Sequence, residues 1–261
     1  MFEALDDGVI AYGEVDEVNV NEANQRLEDI RVFASAECAQ SIAIEENWNA
    51  KWESNYQKVV IHGLHGEVIC SIRAPFHDAP AKGLDVVVTP QMSFGTGHHA
   101  TTYLMVQELM SKNLKGLTIL DMGSGTGVLA IAAALVGAKK VVGIDIEEAA
   151  VRNARDNARL NGIEHNEGTT IEFIHGDGEC LVTINDGALD VIFANIHKNV
   201  LAADMDKYSR TLKHGGSLFL SGFFDSDVAW LESYVTRHGM TVNAVSSKEG
   251  WACMHCWKPS K

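Results

Sequence analysis

Proline and cysteine are scarce in this 261-residue chain, basic side chains are outnumbered, and no apolar stretch is long. Four prolines leave room for uninterrupted helices and strands, and two of them fall in one short segment, Ala74-Pro75-Phe-His-Asp-Ala-Pro80-Ala-Lys-Gly83, which reads as a linker. Five cysteines (Cys38, Cys70, Cys180, Cys253, Cys256) are an odd number at irregular spacing, a pattern suited to reduced thiols in a cytoplasm rather than to a disulfide framework. Cys253-Met-His-Cys256 has no second pair of ligands elsewhere, so packed thiols are expected there and no metal site. The longest apolar stretch, Val128 to Ala138, is too short to span a bilayer, and the first residues lack a signal-like pattern; no membrane association is expected.

Charge is short on the positive side, with 21 Lys+Arg against 35 Asp+Glu and a net charge of -14. The deficit is concentrated. Residues 1–85 hold 6 Lys+Arg against 16 Asp+Glu, and the remainder 15 against 19. Such a field repels nucleic acid phosphates, so no direct nucleic acid contact is expected, and it speeds encounter with a basic protein. Acidity kept merely for solubility is the plainer alternative.

What the chain does contain is an alternation of apolar runs and amphipathic segments after about residue 86. Strands are expected at Thr118–Met122, Lys140–Ile144, Thr170–His175, Leu189–Ala194, Gly216–Leu220, Thr241–Ser246 and Trp251–Lys258. Helices are expected at Thr101–Lys112, Gly127–Leu135, Glu147–Asn161, Asn199–Leu212 and Asp227–His238. This is the pattern of an α/β doubly wound sheet. Residues 1–73 read instead as a small acidic α+β domain, with strands at Val9–Val18, Gln57–Ile61 and Val68–Arg73 and a helix at Ser35–Glu46. The expected organisation is therefore a small domain over 1–73, a linker over 74–85 and a larger domain over 86–261.

Chemistry concentrates in Ile119-Leu-Asp121-Met-Gly123-Ser-Gly125-Thr-Gly127, followed by Val141-Val-Gly-Ile-Asp145. A strand ends in an acid, a glycine-rich turn opens a helix, and the next strand ends in a second acid placed to accept ribose hydroxyls. The dinucleotide fingerprint G-x-G-x-x-G would need glycine at position 128, where this chain has Val128 and puts its third glycine at 127. The G-x-G-x-G spacing with Asp121 ahead of it resembles the first motif of S-adenosylmethionine-dependent methyltransferases. An ordinary strand-to-helix turn and a nicotinamide or flavin site remain alternatives at this point.

Three further segments narrow the reading. Phe94-Gly-Thr-Gly-His98-His99-Ala-Thr101-Thr102 makes a glycine-rich loop running into a helix N-terminus, where hydroxyls and free N–H groups can hold a carboxylate. Phe193-Ala-Asn195-Ile-His197 closes the fourth strand, at the carboxyl edge where open sheets bind ligands, and a turn asparagine is the plainer alternative. Asn47-Trp48-Asn-Ala-Lys-Trp52-Glu53-Ser-Asn55 puts two tryptophans at i and i+4, a spacing suited to packing in the small domain's core.

Together, in this order, these segments closely resemble the ribosomal protein L11 methyltransferase (PrmA) family over residues 45 to 258. The resemblance implies a Rossmann-like seven-stranded class I methyltransferase sheet carrying a small N-terminal α+β domain. It implies S-adenosylmethionine as methyl donor, with S-adenosylhomocysteine as product. Lysine ε-amines and the N-terminal α-amine of the basic ribosomal protein L11 would be the acceptors. Carried over position by position, Phe94, Thr101, Thr102, Asp121, Gly123, Gly125, Gly127, Asp145 and Asp177 would line the cofactor, with Thr102 at its methionine part, Asp145 at its ribose and Asp177 at its adenine. Asn195 would stand beside the transferring methyl as the catalytic residue. Thr89 and Gln91 depart from the residues common in the family, and the chain is expected to begin within the small domain, after that domain's first strand and helix. A monomer acting in the cytoplasm is expected. Methylation of another amine (small molecule or nucleobase) and a non-catalytic ribosome-assembly scaffold are the competing functions.

Overall fold

The structure, a computed structural model, describes residues 2–5, 8–11, 25–26, 57–63, 65–89, 100–163 and 168–260. The helix expected at Ser35–Glu46, the Trp48 and Trp52 segment, Phe94, His98 and His99 lie outside the described residues, as does the strand expected at Val9–Val18 beyond Ala11. Two compact units divide the chain, Met1–Trp52 and Glu53–Lys261. In the first, β1 (Phe2–Leu5) and β2 (Gly8–Ala11) pair antiparallel, with Phe2 opposite Ala11 and Leu5 opposite Gly8.

The second unit opens with β3 (Val59–His62), β4 (Val68–Arg73) and β5 (Leu84–Val87) in one small sheet, β3 antiparallel and β5 parallel to β4. The compact division thus falls after Trp52, not after residue 73, and the stretch read as a linker over 74–85 ends inside a strand. Side chains explain both differences. Ile61, Cys70, Ile72, Val86 and Val88 are buried in the same core as the apolar faces of the larger sheet's helices. The Arg73 guanidinium grips both carboxylate oxygens of Asp85 at 2.8 Å and donates to the His77 carbonyl at 2.8 Å. The proline-bearing stretch is therefore a loop tied at its base. Such bidentate, partly buried pairing is geometrically specific in a way an exposed ion pair is not.

Beyond it come α1 (Ala100–Met110), β6 (Thr118–Met122), α2 (Val128–Leu135), β7 (Lys140–Asp145), α3 (Glu148–Leu160), β8 (Thr170–His175) and β9 (Leu189–Asn195). The chain ends with α4 (Lys198–Ala203), α5 (Met205–Thr211), β10 (Leu212–Phe224), α6 (Val228–Arg237), β11 (Thr241–Lys248) and β12 (Trp251–Trp257). Strands β6 to β12 form one seven-stranded sheet in the order β11-β12-β10-β9-β6-β7-β8. Strands β6, β7, β8, β9 and β10 run parallel, and β12 enters antiparallel between β10 and β11. Glu249 (φ 53°) and Gly250 (φ 79°) make the tight turn that returns β11 into β12.

Successive residues of a strand point to opposite faces, and both faces here are covered. Ile119, Val141, Phe193 and Phe219 pack on one side with α1, α2 and α3; Leu120, Val142, Ile144, Ile192 and Leu220 pack on the other with α4, α5 and α6. Helix α2, Val-Leu-Ala-Ile-Ala-Ala-Ala-Leu, has nearly every side chain buried, and its alanines let it lie close to the strands. Strand and helix expectations for this unit match within a few residues, with two exceptions. The helix expected at Asn199–Leu212 is broken at Asp204, whose ψ of 4° leaves the helical path. Asp204 is buried, its carboxylate takes Lys207 Nζ at 2.8 Å, and it packs where a Cβ on Gly178 would overlap it. Strand β10 begins at Leu212 rather than Gly216, with an irregular register against β9 between Leu212 and Ser217.

Cys253 and Cys256 are buried on β12 and their thiols are pushed up by burial, as packed thiols should be. His255 between them lies stacked on Phe219 with centroids 4.4 Å apart, and burial lowers its pKa to about 4, so it is neutral. Among the described residues no cluster of side chains could hold a metal ion, and no helix is long and apolar enough to cross a membrane.

Candidate functional site

The carboxyl ends of β6, β7 and β9 meet at one edge of the large sheet. Asp121 on β6 pairs in register with Gly143 of β7 and with Phe193 of β9, so Asp145 and Asn195, each two residues further on, flank the turn that follows β6. Ribbon order alone thus brings together Asp121, the glycine turn, Asp145 and Asn195, although they span 75 positions of sequence.

The turn is shaped by backbone chemistry. Gly123, Gly125 and Gly127 all take positive φ (74°, 54° and 80°), a region that strains any residue with a Cβ. At Gly123 a Cβ would overlap Ile196 Cγ2, and at Gly127 it would press within 3.0 Å of Ala154 and Phe173. The turn therefore lies flat between the residue after β9 and the face of α3. Its peptide groups are tied down, with Gly123 and Ser124 N–H donating to the Ile144 carbonyl at 2.8 and 3.0 Å.

Both acids act on this backbone. Asp121 is 1 % exposed, and its Oδ2 accepts from the Ala130 N–H at 3.1 Å, capping the first turn of α2 from the neighbouring strand. Its other oxygen, Oδ1, is buried with no partner among the described residues, and so is Ser124 Oγ. Buried polar atoms are seldom left unsatisfied, so two at one turn mark a place where a polar ligand would be welcome. Burial, helped by the nearby Asp145 charge and opposed by the Ala130 bond, raises the Asp121 pKa to about 7. Asp145 is half-buried. Its Oδ2 accepts from Gly125 N–H at 2.7 Å and its Oδ1 from Glu147 N–H at 2.9 Å. A carboxylate has about four acceptor directions, so each oxygen keeps one for hydroxyls arriving from outside.

Asn195 ends β9 half-buried, and its amide has no hydrogen-bond partner among the described residues. The next residue, Ile196, is clamped on two sides, because its carbonyl oxygen also lies where a Cβ on Gly222 of β10 would be. His197 is exposed and serves as the N-cap of α4, its Nδ1 accepting from Asn199 N–H at 3.3 Å. Asp177 is exposed and caps the short 3-10 helix Gly178–Thr183 by accepting from Glu179 N–H at 2.9 Å; the Gly176 N–H before it donates to the Asp145 carbonyl at 2.9 Å. Thr101 and Thr102 open α1 and are each 3 % exposed. Phe94 cannot be placed in this geometry, since it lies outside the described residues.

Sequence reading missed the residues that brace the site. Asn157 on α3 and Asn161 at its C-cap bond Thr89 beyond β5 and Val87 at its end, and Gly222 makes room for Ile196. A signal for the first pair was present: asparagine recurs at 153, 157 and 161, one face of a helix in whose interior this residue type is disfavoured.

Comparison with known proteins places the chain in a family. The model of the family described as ribosomal protein L11 methyltransferase (PrmA) matches residues 5–259. A ribosomal protein L11 methyltransferase of Bacteroides fragilis is 39 % identical over 223 residues, covering 85 % of this chain and 73 % of the relative. That of Porphyromonas gingivalis is 41 % identical over 209 residues, covering 80 % and 68 %. Among solved structures, a ribosomal protein L11 methylase from Lactobacillus delbrueckii subsp. bulgaricus superposes with a TM-score of 0.66 at 25 % identity, over 77 % of this chain and 98 % of that one.

Proposed function

The chain belongs to the ribosomal protein L11 methyltransferase (PrmA) family of S-adenosylmethionine-dependent enzymes, and from that premise we propose that it methylates amines of ribosomal protein L11, at lysine side chains and at the N-terminal α-amine. The observation that carries the reading is the set of unfilled acceptors around the glycine turn: Asp121 Oδ1, Ser124 Oγ and the free directions on Asp145. These suit a ligand with ribose hydroxyls at one end and an amino acid at the other.

S-adenosylmethionine supplies a methyl group already activated by a sulfonium, so the protein's contribution is alignment and desolvation. The residues divide that work. Asp145 would accept the two ribose hydroxyls, and the buried oxygens of Asp121 and Ser124 would take donors from the ligand's polar end. Thr101 and Thr102, at the N-terminus of α1, would face its carboxylate, in keeping with the dipole of that helix end. Asp177 would sit on the adenine side, after β8. Asn195, whose amide has no partner among the described residues, would accept a hydrogen bond from the acceptor amine and so turn its lone pair toward the methyl. An alkylammonium with a pKa near 10.4 must first lose a proton. His197 is committed as a helix cap, so solvent is the proton acceptor in this reading.

The acidic residues 1–85 favour encounter with a basic protein over nucleic acid. Action in the cytoplasm, as a monomer, is part of the same proposal, and the free thiols of Cys70, Cys180, Cys253 and Cys256 suit a reducing compartment. Mass spectrometry of purified L11 after incubation with the chain and labelled S-adenosylmethionine tests the whole reading. Mass added in multiples of a methyl group, and absent with Asp145→Ala, is the expected result; an unmodified L11 with a methylated small amine in its place would reject it.

A further inference from the structure

Asn157 is a tightly held polar side chain outside the turn itself. It sits in the C-terminal half of α3, fully buried, and both halves of its amide are used on backbone that is distant in sequence. Oδ1 accepts from the Thr89 N–H at 2.8 Å, and Nδ2 donates to the Thr126 carbonyl at 2.9 Å. Thr126 stands between Gly125 and Gly127, and Thr89 is the last described residue before the segment 90–99 that leads into α1. One turn later, Asn161 repeats the device. Its Oδ1 accepts from Val87 N–H at 2.9 Å while its Nδ2 donates to the Val87 carbonyl at 2.7 Å. An asparagine inside a helix costs propensity and a buried amide needs partners, so Asn157 is an expensive way to make mere core.

We propose that Asn157 is a positioning residue for cofactor binding, holding the glycine turn at Thr126 and the backbone that leaves β5 at Thr89 in one relative placement. The inference rests on the methyl-donor reading of the turn. It explains why a single side chain bonds two backbone segments 37 positions apart in sequence, 89 and 126, instead of leaving each to its own local turn. It also gives Asn161 a part, because the Val87 pair fixes the strand end from which Thr89 extends.

The test compares wild type with Asn157→Leu, which removes both bonds at similar volume, and with Asn157→Asp, which keeps the acceptor for Thr89 and loses the donor to Thr126. Calorimetry with S-adenosylmethionine alone, steady-state kinetics with L11 and amide hydrogen exchange in the free protein are read together. For Asn157→Leu we expect S-adenosylmethionine affinity to fall roughly tenfold, the scale of one or two buried hydrogen bonds. The KM for L11 should stay within about twofold, since those bonds touch only the donor side. Exchange at the Thr89 amide should speed up at least tenfold. Asn157→Asp should keep Thr89 slow and still weaken the cofactor. A lowered melting temperature with unchanged cofactor affinity in both variants would mean ordinary core packing and overturn the proposal; so would unchanged Thr89 exchange in Asn157→Leu. If Asn157→Leu does not fold, the Asp variant decides by affinity alone. Failure of wild type to bind S-adenosylmethionine would instead reject the function proposed above, and Thr89 exchange would still report whether Asn157 pins the backbone there.

Discussion

The Gly125 N–H donates to Asp145 Oδ2 at 2.7 Å, fastening the turn after β6 to the end of β7 across 20 residues of sequence. One carboxylate thus ties down the turn and, in the proposed site, would offer acceptors to the ligand. Asp145→Ala leaves the Gly125 and Glu147 amides without their partner and takes away the proposed ribose acceptor. Charge-assisted bonds of this kind contribute about 1.5–3 kcal/mol, so S-adenosylmethionine affinity should drop by roughly 10- to 100-fold. Isothermal calorimetry measures it directly. An affinity equal to wild type would remove Asp145 from the site.

Asp121 makes a pH prediction. Its folded pKa is about 7 against an ordinary carboxylate value of 3.8, chiefly because burial penalises the anion. Between those two values the folded chain holds a proton that the unfolded chain has released. Its contribution to stability is therefore fully present below pH 3.8, is lost as pH rises toward 7, and is constant beyond. The whole shift corresponds to on the order of 4 kcal/mol. Asp121→Asn cannot titrate, so its stability relative to wild type should climb over this window and level off above it. Urea titrations at pH 5, 6, 7 and 8 give the comparison. A pH-independent difference would show that the carboxyl titrates normally. The same variant should bind S-adenosylmethionine less well at pH 8, where wild type presents an anion.

Gly123→Ala introduces a Cβ at φ 74° and into Ile196. Left-handed backbone costs about 1–2 kcal/mol for an ordinary residue, and the overlap adds to it. We expect about 1–3 kcal/mol of lost stability in denaturant titrations. Activity should be lost as well, since relief of the overlap moves the Asn195-Ile196-His197 segment. An active, unperturbed Gly123→Ala would contradict the packing described.

Asn195→Ala separates chemistry from folding. The amide is half-buried and bonds to nothing among the described residues, so stability should change by no more than about 0.5 kcal/mol. Turnover should fall on the order of 100-fold if the amide aims the nucleophile, with S-adenosylmethionine affinity nearly kept. Single-turnover methylation of L11 supplies the rate. A variant turning over at the wild-type rate would leave the amine without its proposed guide.

Phe173 is the structural counterpart. It is buried on β8 against two glycines, Gly127 of the turn and Gly143 of β7, both of which would crowd it if they carried a Cβ. Phe173→Ala opens a cavity under the turn and should cost about 3–5 kcal/mol. Chemical denaturation gives the number, and a loss below 1 kcal/mol would mean that the site collapses freely.

The strands of the large sheet, the glycine turn and the acids at its two flanks were legible in the sequence because each is encoded by contiguous residues. Apolar alternation sets a strand, and glycine permits a positive φ, whatever lies elsewhere in the chain. Tertiary structure decided the rest. Leu84–Val87 became a strand only by pairing with β4 and binding Asp85 to Arg73, and the helix over 198–211 broke where Asp204 met Gly178. The bridge from Asn157 to Thr89 and Thr126 joins backbone groups that no local pattern relates, and Ile196 lies between Gly123 and Gly222 only once β6, β9 and β10 stand side by side. Local conformational preference is written residue by residue; which buried polar group finds which partner depends on how the whole sheet brings distant segments together.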